Sequence, residues 1–262
     1  MLTLSSLTFL HLNLANAEGI EFLANPVSLT AKDGTGVEAL HHSVLVSSTF
    51  AMKCAPIQQI QGGYLCLSNR RTGMNQALLR IGVYWGAGAH LTPGSLISDQ
   101  SPKLRAMEKG VYGHNLPGDV VLSFYAKMDQ ESAQYPMTSR EKEFRGALEN
   151  VSQIAHANGQ FYLIAVDANI PDYRFGVSHE IKHAQAYLTP GAMNAFKDFW
   201  LTQVREQDKT LVRKTLSPMY NTENEPVMWD EFQAYLLEDN ARNDWLAFLV
   251  TRYRARLQAA IK

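Results

Sequence analysis

The segment GVSHEIKHAQAYL, Gly176 to Leu188, sets His179 and His183 four residues apart, with Glu180 directly after the first. On an α-helix, at about 100° per residue, the second ring falls about 40° from the first and one turn along the same face. Two imidazoles in that relation can each bring a nitrogen to one metal ion. Val177, Ile181, Ala184 and Leu188 fall on the opposite side, so this apolar stripe packs into a core while the rings face away from it. Glu180 projects beside the pair, where its carboxylate can reach a water on the metal without being a ligand. Zinc suits these residue types. Neutral imidazoles are good ligands for it, and a catalytic zinc takes three protein ligands plus a water whose pKa falls to about 7. The expected chemistry is hydrolysis, with Glu180 taking the proton of the attacking water and passing it to the leaving amine.

With its helix–strand–helix surroundings, "VSHEIKHA" resembles the zincin metallopeptidases, over Ser139–Asp239. The resemblance implies an active-site helix packed on a backing helix and a mixed sheet. It also implies an extended peptide lying along an edge strand, for which "QFYLIAVDA" is the expected segment. The metzincin branch would carry glycine at position 186 and histidine at 189, where Ala186 and Thr189 stand. The gluzincin branch takes a glutamate from a later helix, and "MWDEFQAYLLED" looks like that helix. Glu231 is the expected third ligand, with Glu238 and Glu225 as alternatives. Asp230 or Glu238 can instead accept a hydrogen bond from a ligand histidine. Gluzincins add a Tyr or His donor to the oxyanion, and Tyr220, in the loop before the Glu231 helix, is the expected one. Tyr173 and Tyr235 compete with it.

The elements that must hold these side chains read as an α+β fold. Segment 18–138 is expected to be β-rich, with strands in "HSVLVSSTFAM", "GGYLCLS", "ALLRIGVYWGAGAHL" and "DVVLSFYAKM" between Gly, Pro, Asn and Ser. Segment 139–262 is expected to be the zincin-like helical catalytic part. A helix is predicted over 139–157, a buried strand in "GQFYLIAVDA", and then the histidine helix, ended by Pro190-Gly191. Further helices are predicted over 192–207, 229–239 and 244–261. His41 and His42, adjacent on an expected strand, face opposite ways and cannot easily share a metal. His90 and His114 are read as polar positions in Gly-rich loops.

Composition limits what else the chain can be. Of its 262 residues 46% are hydrophobic, enough for one sizeable core, and 24 Lys and Arg stand against 25 Asp and Glu. There is no basic patch for nucleic acid, and "GVYWGAGAH" lacks the strand–loop–helix order of a phosphate loop. "MLTLSSLTFLHLNLANA" is apolar and uncharged and ends in Ala15-Asn16-Ala17, so residues 1–17 read as a signal peptide cleaved before Glu18. The only cysteines, Cys54 and Cys66, flank the Gly62-Gly63 turn signal, so a hairpin in an oxidising compartment would join them as a disulfide. The expectation is a secreted or periplasmic zinc metallopeptidase acting on a peptide or protein substrate. No membrane span is expected after signal removal. The alternatives are a zinc amidase acting on cell-wall or other non-protein amides, and a non-catalytic binding protein with a degenerate zincin site.

Overall fold

The computed structural model describes residues 19–30, 36–86, 92–151, 160–218, 220–238 and 244–260. In chain order the elements are β1 (Gly19–Phe22), α1 (Val37–Leu45), β2 (Ala51–Pro56), β3 (Gly63–Ser68), α2 (Arg71–Trp85), α3 (Pro102–Glu108), β4 (Gly113–Pro117) and α4 (Gly118–Gln130). Then come α5 (Ser139–Glu149), β5 (Tyr162–Asp167), α6 (Tyr173–Leu188), α7 (Ala192–Gln203), α8 (Glu206–Leu216), α9 (Glu225–Leu237) and α10 (Asp244–Ala260). The fold is α+β.

The five strands make one mixed sheet in the order β1-β2-β3-β5-β4. β1 runs parallel to β2, β3 runs parallel to β5, and the β2–β3 and β4–β5 pairs are antiparallel. On one face, Met52, Cys54, Tyr64, Cys66 and Leu163 pack with Met74, Leu78 and Ile81 of α2, Phe124 and Met128 of α4, and Phe144 of α5. On the other face, Leu65, Leu67, Tyr162, Ile164 and Val166 pack with Leu40 and Val44 of α1 and with Val177, Ile181 and Ala184 of α6. Covered on both sides, β5 is buried along its whole length, as its unbroken apolar run requires. A separate core joins the end of α6 to the later helices, through Ala186, Phe199, Trp200, Phe232, Leu236, Leu249, Tyr253 and Leu257. Helix α6 therefore has the sheet on one side and this helical cluster on the other.

The expected hairpin is present. Gly62 turns at φ +81°, β2 and β3 pair with Cys54 opposite Cys66, and the two sulfurs are bonded. The β-rich expectation for 18–138 is corrected, because the described residues of that segment hold four strands and also helices α1, α2, α3 and α4. In "DVVLSFYAKM", Val121, Phe124, Tyr125 and Met128 recur at helical spacing and bury one face, which outweighs the β preference of valine and aromatic residues. In α2, Met74, Leu78 and Ile81 do the same, and Gly86, at φ +116°, closes the helix in the left-handed conformation that favours glycine. β5 pairs with β3 and β4, so one sheet spans the expected boundary between residues 138 and 139.

The helix expected over 139–157 starts at Ser139 behind a capping box of Thr138 and Glu141 and ends at Glu149, and 152–159 lie outside the described residues. The helix expected over 192–207 is two, α7 and α8, broken at Val204 and Arg205. The signal segment, residues 1–17, also lies outside the described residues, as does His90.

Candidate metal centre

The histidine helix is α6, and its two faces divide as the sequence predicts. Val177, Ile181 and Ala184 enter the sheet-side core. His179 and His183 point toward α9 and are buried, at 6% and 1% exposure. From α9, Glu231 meets them at 5% exposure. Nε2 of His179 lies 3.3 Å from Nε2 of His183 and 3.3 Å from Oε2 of Glu231, while Nε2 of His183 lies 3.8 Å from Oε1 of Glu231. Zinc–ligand bonds of about 2.0–2.2 Å in tetrahedral array put neighbouring donors about 3.3–3.6 Å apart. The two separations from His179 Nε2 match that spacing, and the 3.8 Å from His183 Nε2, which runs to the other Glu231 oxygen, is slightly longer. Among the described residues they are the one such group of His, Cys, Asp or Glu within metal-holding distance.

The other ring nitrogens turn outward to carboxylates. Nδ1 of His179 donates to Oε2 of Glu238 at 3.1 Å, since a carboxylate can only accept. Nδ1 of His183 lies 3.0 Å from Oδ1 of Asp230, off the ideal hydrogen-bond direction. With protons held at both Nδ1 atoms, both Nε2 lone pairs and the Glu231 carboxylate converge on one point. Three buried acceptors facing each other repel unless a cation stands among them. Without a metal, that cation is a proton. Burial opposes charge on His179, but hydrogen bonds to Glu231 and Glu238, with the charges of Glu231 and Glu180, hold it well above its ordinary value. Burial likewise opposes charge on His183, and the charges of Asp230 and Glu231 and the contact with Asp230 outweigh it, pushing it up to about 9. The residues present thus fit a divalent ion in donor type, spacing and charge.

Glu180 leaves this face for β4. A Cβ on Gly113 would lie 3.1 Å from Oε1 of Glu180, and the Asn115 side chain is directed at the same carboxylate. Oε2 of Glu180 is buried with no hydrogen-bond partner. Burial raises the Glu180 carboxyl, against the lowering charges of His179 and His183. The buried carboxyl thus lies within the field of both histidines and of Glu231.

Tyr220 and Tyr235 both reach the centre. Burial first, then the charge of Glu231, hold the Tyr220 hydroxyl well above its ordinary value, so it remains a donor, directed at Glu231. The Tyr235 ring stands 4.5 Å from the His179 ring, and its hydroxyl meets Tyr220. Tyr173 is elsewhere, at the start of α6, stacked on His41 at 3.9 Å.

Comparison with family models, with curated proteins and with solved structures finds no match to this chain.

Of the alternatives for the third ligand, Glu225 is taken up by Trp200 Nε1 at 2.6 Å and by Arg213, away from the histidines. Glu238 serves the outer nitrogen of His179. Three expectations change. "QFYLIAVDA" is not an edge, since β5 lies between β3 and β4, and the edge beside Glu180 is β4. His41 and His42 sit on helix α1, where His41 Nε2 meets the Ala168 carbonyl at 2.8 Å. His114 lies on β4 and not in a loop. It faces α2, bonded to Asn75 at 2.7 Å, and burial lowers it to about 3, so it stays neutral. Sequence reading missed Gly113 and Asn115. "GHNLP" carries no local strand signal strong enough to place it, and only the β4–β5 pairing brings it to Glu180.

Proposed function

We propose that this protein is an exported zinc-dependent metallopeptidase of the zincin type, on its gluzincin-like branch. The observation that carries the reading is the convergence of Nε2 of His179, Nε2 of His183 and the Glu231 carboxylate at 3.3 to 3.8 Å from one another, with the buried Glu180 carboxyl in the field of both histidines. Zinc held there would polarise a scissile carbonyl and make a water acidic enough to lose its proton near neutral pH. Glu180 accepts that proton as the water oxygen bonds to the carbonyl carbon. It then returns the proton to the nitrogen as the C–N bond breaks. Tyr220, kept protonated, donates to the carbonyl oxygen as it gains charge. Among the described residues no strand pairs with the outer edge of β4, the side on which an extended peptide could add. Export is supported by the disulfide of Cys54 and Cys66 together with the signal-like sequence 1–17. No helix among the described residues is long and apolar enough to cross a membrane.

The test is Glu180→Gln in a mixed peptide library read by mass spectrometry. The wild type should cleave, chelator should stop it and zinc should restore it. The variant should keep its zinc and fold and lose activity by roughly 10²–10⁴-fold or more, since an amide cannot take the proton. Cleavage that survives the substitution refutes the mechanism. A zinc-loaded wild type that cleaves no peptide moves the assignment to another amide or to a binding role.

A further inference from the structure

The carboxylate that orients His179 does not belong to a helix. Glu238 follows the last residue of α9 and has extended backbone, φ −65° and ψ 147°. Its N–H still bonds the Ala234 carbonyl, at 3.0 Å, but its own carbonyl and that of Leu236 have no further turn to bond. Both are taken up from another element. Arg254 of α10 donates from Nε to the Leu236 carbonyl and from Nη2 to the Glu238 carbonyl, each at 2.5 Å. One planar guanidinium thus spans the last turn of α9 and the residue just beyond it, at the negative end of the helix dipole. The Glu238 side chain, 1% exposed, then reaches Nδ1 of His179 at 3.1 Å.

We propose that Arg254 is a positioning residue for the metal centre, which it serves through Glu238 and His179; the inference rests on the metal-binding reading given above. The guanidinium fixes where the helix ends. The helix end aims the Glu238 carboxylate, and the carboxylate holds the His179 proton at Nδ1, leaving Nε2 for the ion. The rest of α10 docks by other residues, since Leu249, Tyr253 and Leu257 are the ones buried against Phe232 and Leu236. The helix therefore stays in place when the guanidinium is removed. Lysine would carry the charge but could not span both carbonyls with one nitrogen.

The experiment uses the full chain and two readouts. Zinc affinity is measured by chelator competition, and protection of the His179 Nδ1 proton is followed by NMR in metal-free protein. Arg254→Met should weaken zinc about 10-fold, within the range of roughly 10–100-fold found when a group behind a ligand is lost. It should also expose the Nδ1 proton to exchange. Arg254→Lys should recover part of both, and Arg256→Met, an exposed control on α10, should change neither. The variant Glu238→Ala/Arg254→Met should bind zinc no more weakly than Glu238→Ala alone, because Arg254 acts through Glu238. Additive losses in the double variant, or full zinc affinity with a protected Nδ1 proton in Arg254→Met, overturn the proposal. A wild type with no affinity for zinc refutes the metal reading instead, and the Nδ1 proton then still decides whether Arg254 positions His179.

Discussion

Asp230→Asn separates tuning of the metal centre from simple packing. Asp230 is buried at 6% exposure, and its Oδ1 lies 3.0 Å from Nδ1 of His183 and accepts from Gln233 Nε2 at 3.2 Å. Asparagine keeps the shape and one acceptor oxygen but removes the charge. Without that charge the His183 ring is a poorer donor to zinc, and losses of about 10–100-fold in affinity are expected for such a change. With free zinc at about 1,000 times the wild-type dissociation constant, the metal stabilises the fold by about 4.1 kcal/mol. The same zinc stands at only about 100 to 10 times the constant of the variant, which leaves about 2.7 to 1.4 kcal/mol. At about 2–4 °C per kcal/mol for a chain near this length, the zinc-induced rise in Tm falls from about 8–16 °C to about 3–11 °C. Differential scanning calorimetry with zinc and with chelator reads both values on each protein. A zinc-induced rise unchanged by Asp230→Asn, with chelator competition showing equal affinity, would refute the tuning role of Asp230.

Three further outcomes are expected. Replacing Cys54 and Cys66 together by alanine should cost about 3 kcal/mol, the loop entropy of a 12-residue separation, and calorimetry should show Tm lower by about 6–12 °C. Gly113→Ala should displace the Glu180 carboxylate, whose Oε1 would lie 3.1 Å from the new Cβ, so peptide cleavage should fall while zinc content stays at the wild-type level. In metal-free protein, His183 sits at about 9, above the 6.5 of an unfolded chain. Its contribution to stability is therefore complete below pH 6.5 and lost as pH rises through about 9, and Tm measured across that interval should decline.

The centre was more legible than the scaffold. Local spacing alone put His179 and His183 on one face of α6, with Val177, Ile181 and Ala184 on the other. Glu231 lies on α9 as the spacing predicts, but the helix ends at Leu237, so Glu238 reaches His179 from extended backbone and not from a shared helical face. The disulfide followed from two cysteines around a glycine turn. The helices α2 and α4 were hidden by valine, isoleucine and aromatic residues, which favour strands when composition is weighed above period. The edge was misplaced because sheet order depends on pairings across long separations. β5 meets β3, which is not its neighbour in the chain, and β4, from which it is separated by α4 and α5, and "GHNLP" is a strand chiefly because it pairs with β5. Arg254 was invisible for a similar reason, since its partners are backbone carbonyls at and just beyond the end of another helix.

Zinc content after exhaustive dialysis, measured by mass spectrometry on the wild type and on Glu231→Ala and Glu225→Ala, tests the centre most directly. About one zinc per chain is expected in the wild type. Glu225→Ala should keep it, since Glu225 serves Trp200 and Arg213, and Glu231→Ala should lose most of it. A wild type that retains no zinc, or a Glu231→Ala protein that retains all of it, would contradict the assignment of His179, His183 and Glu231 as the ligands.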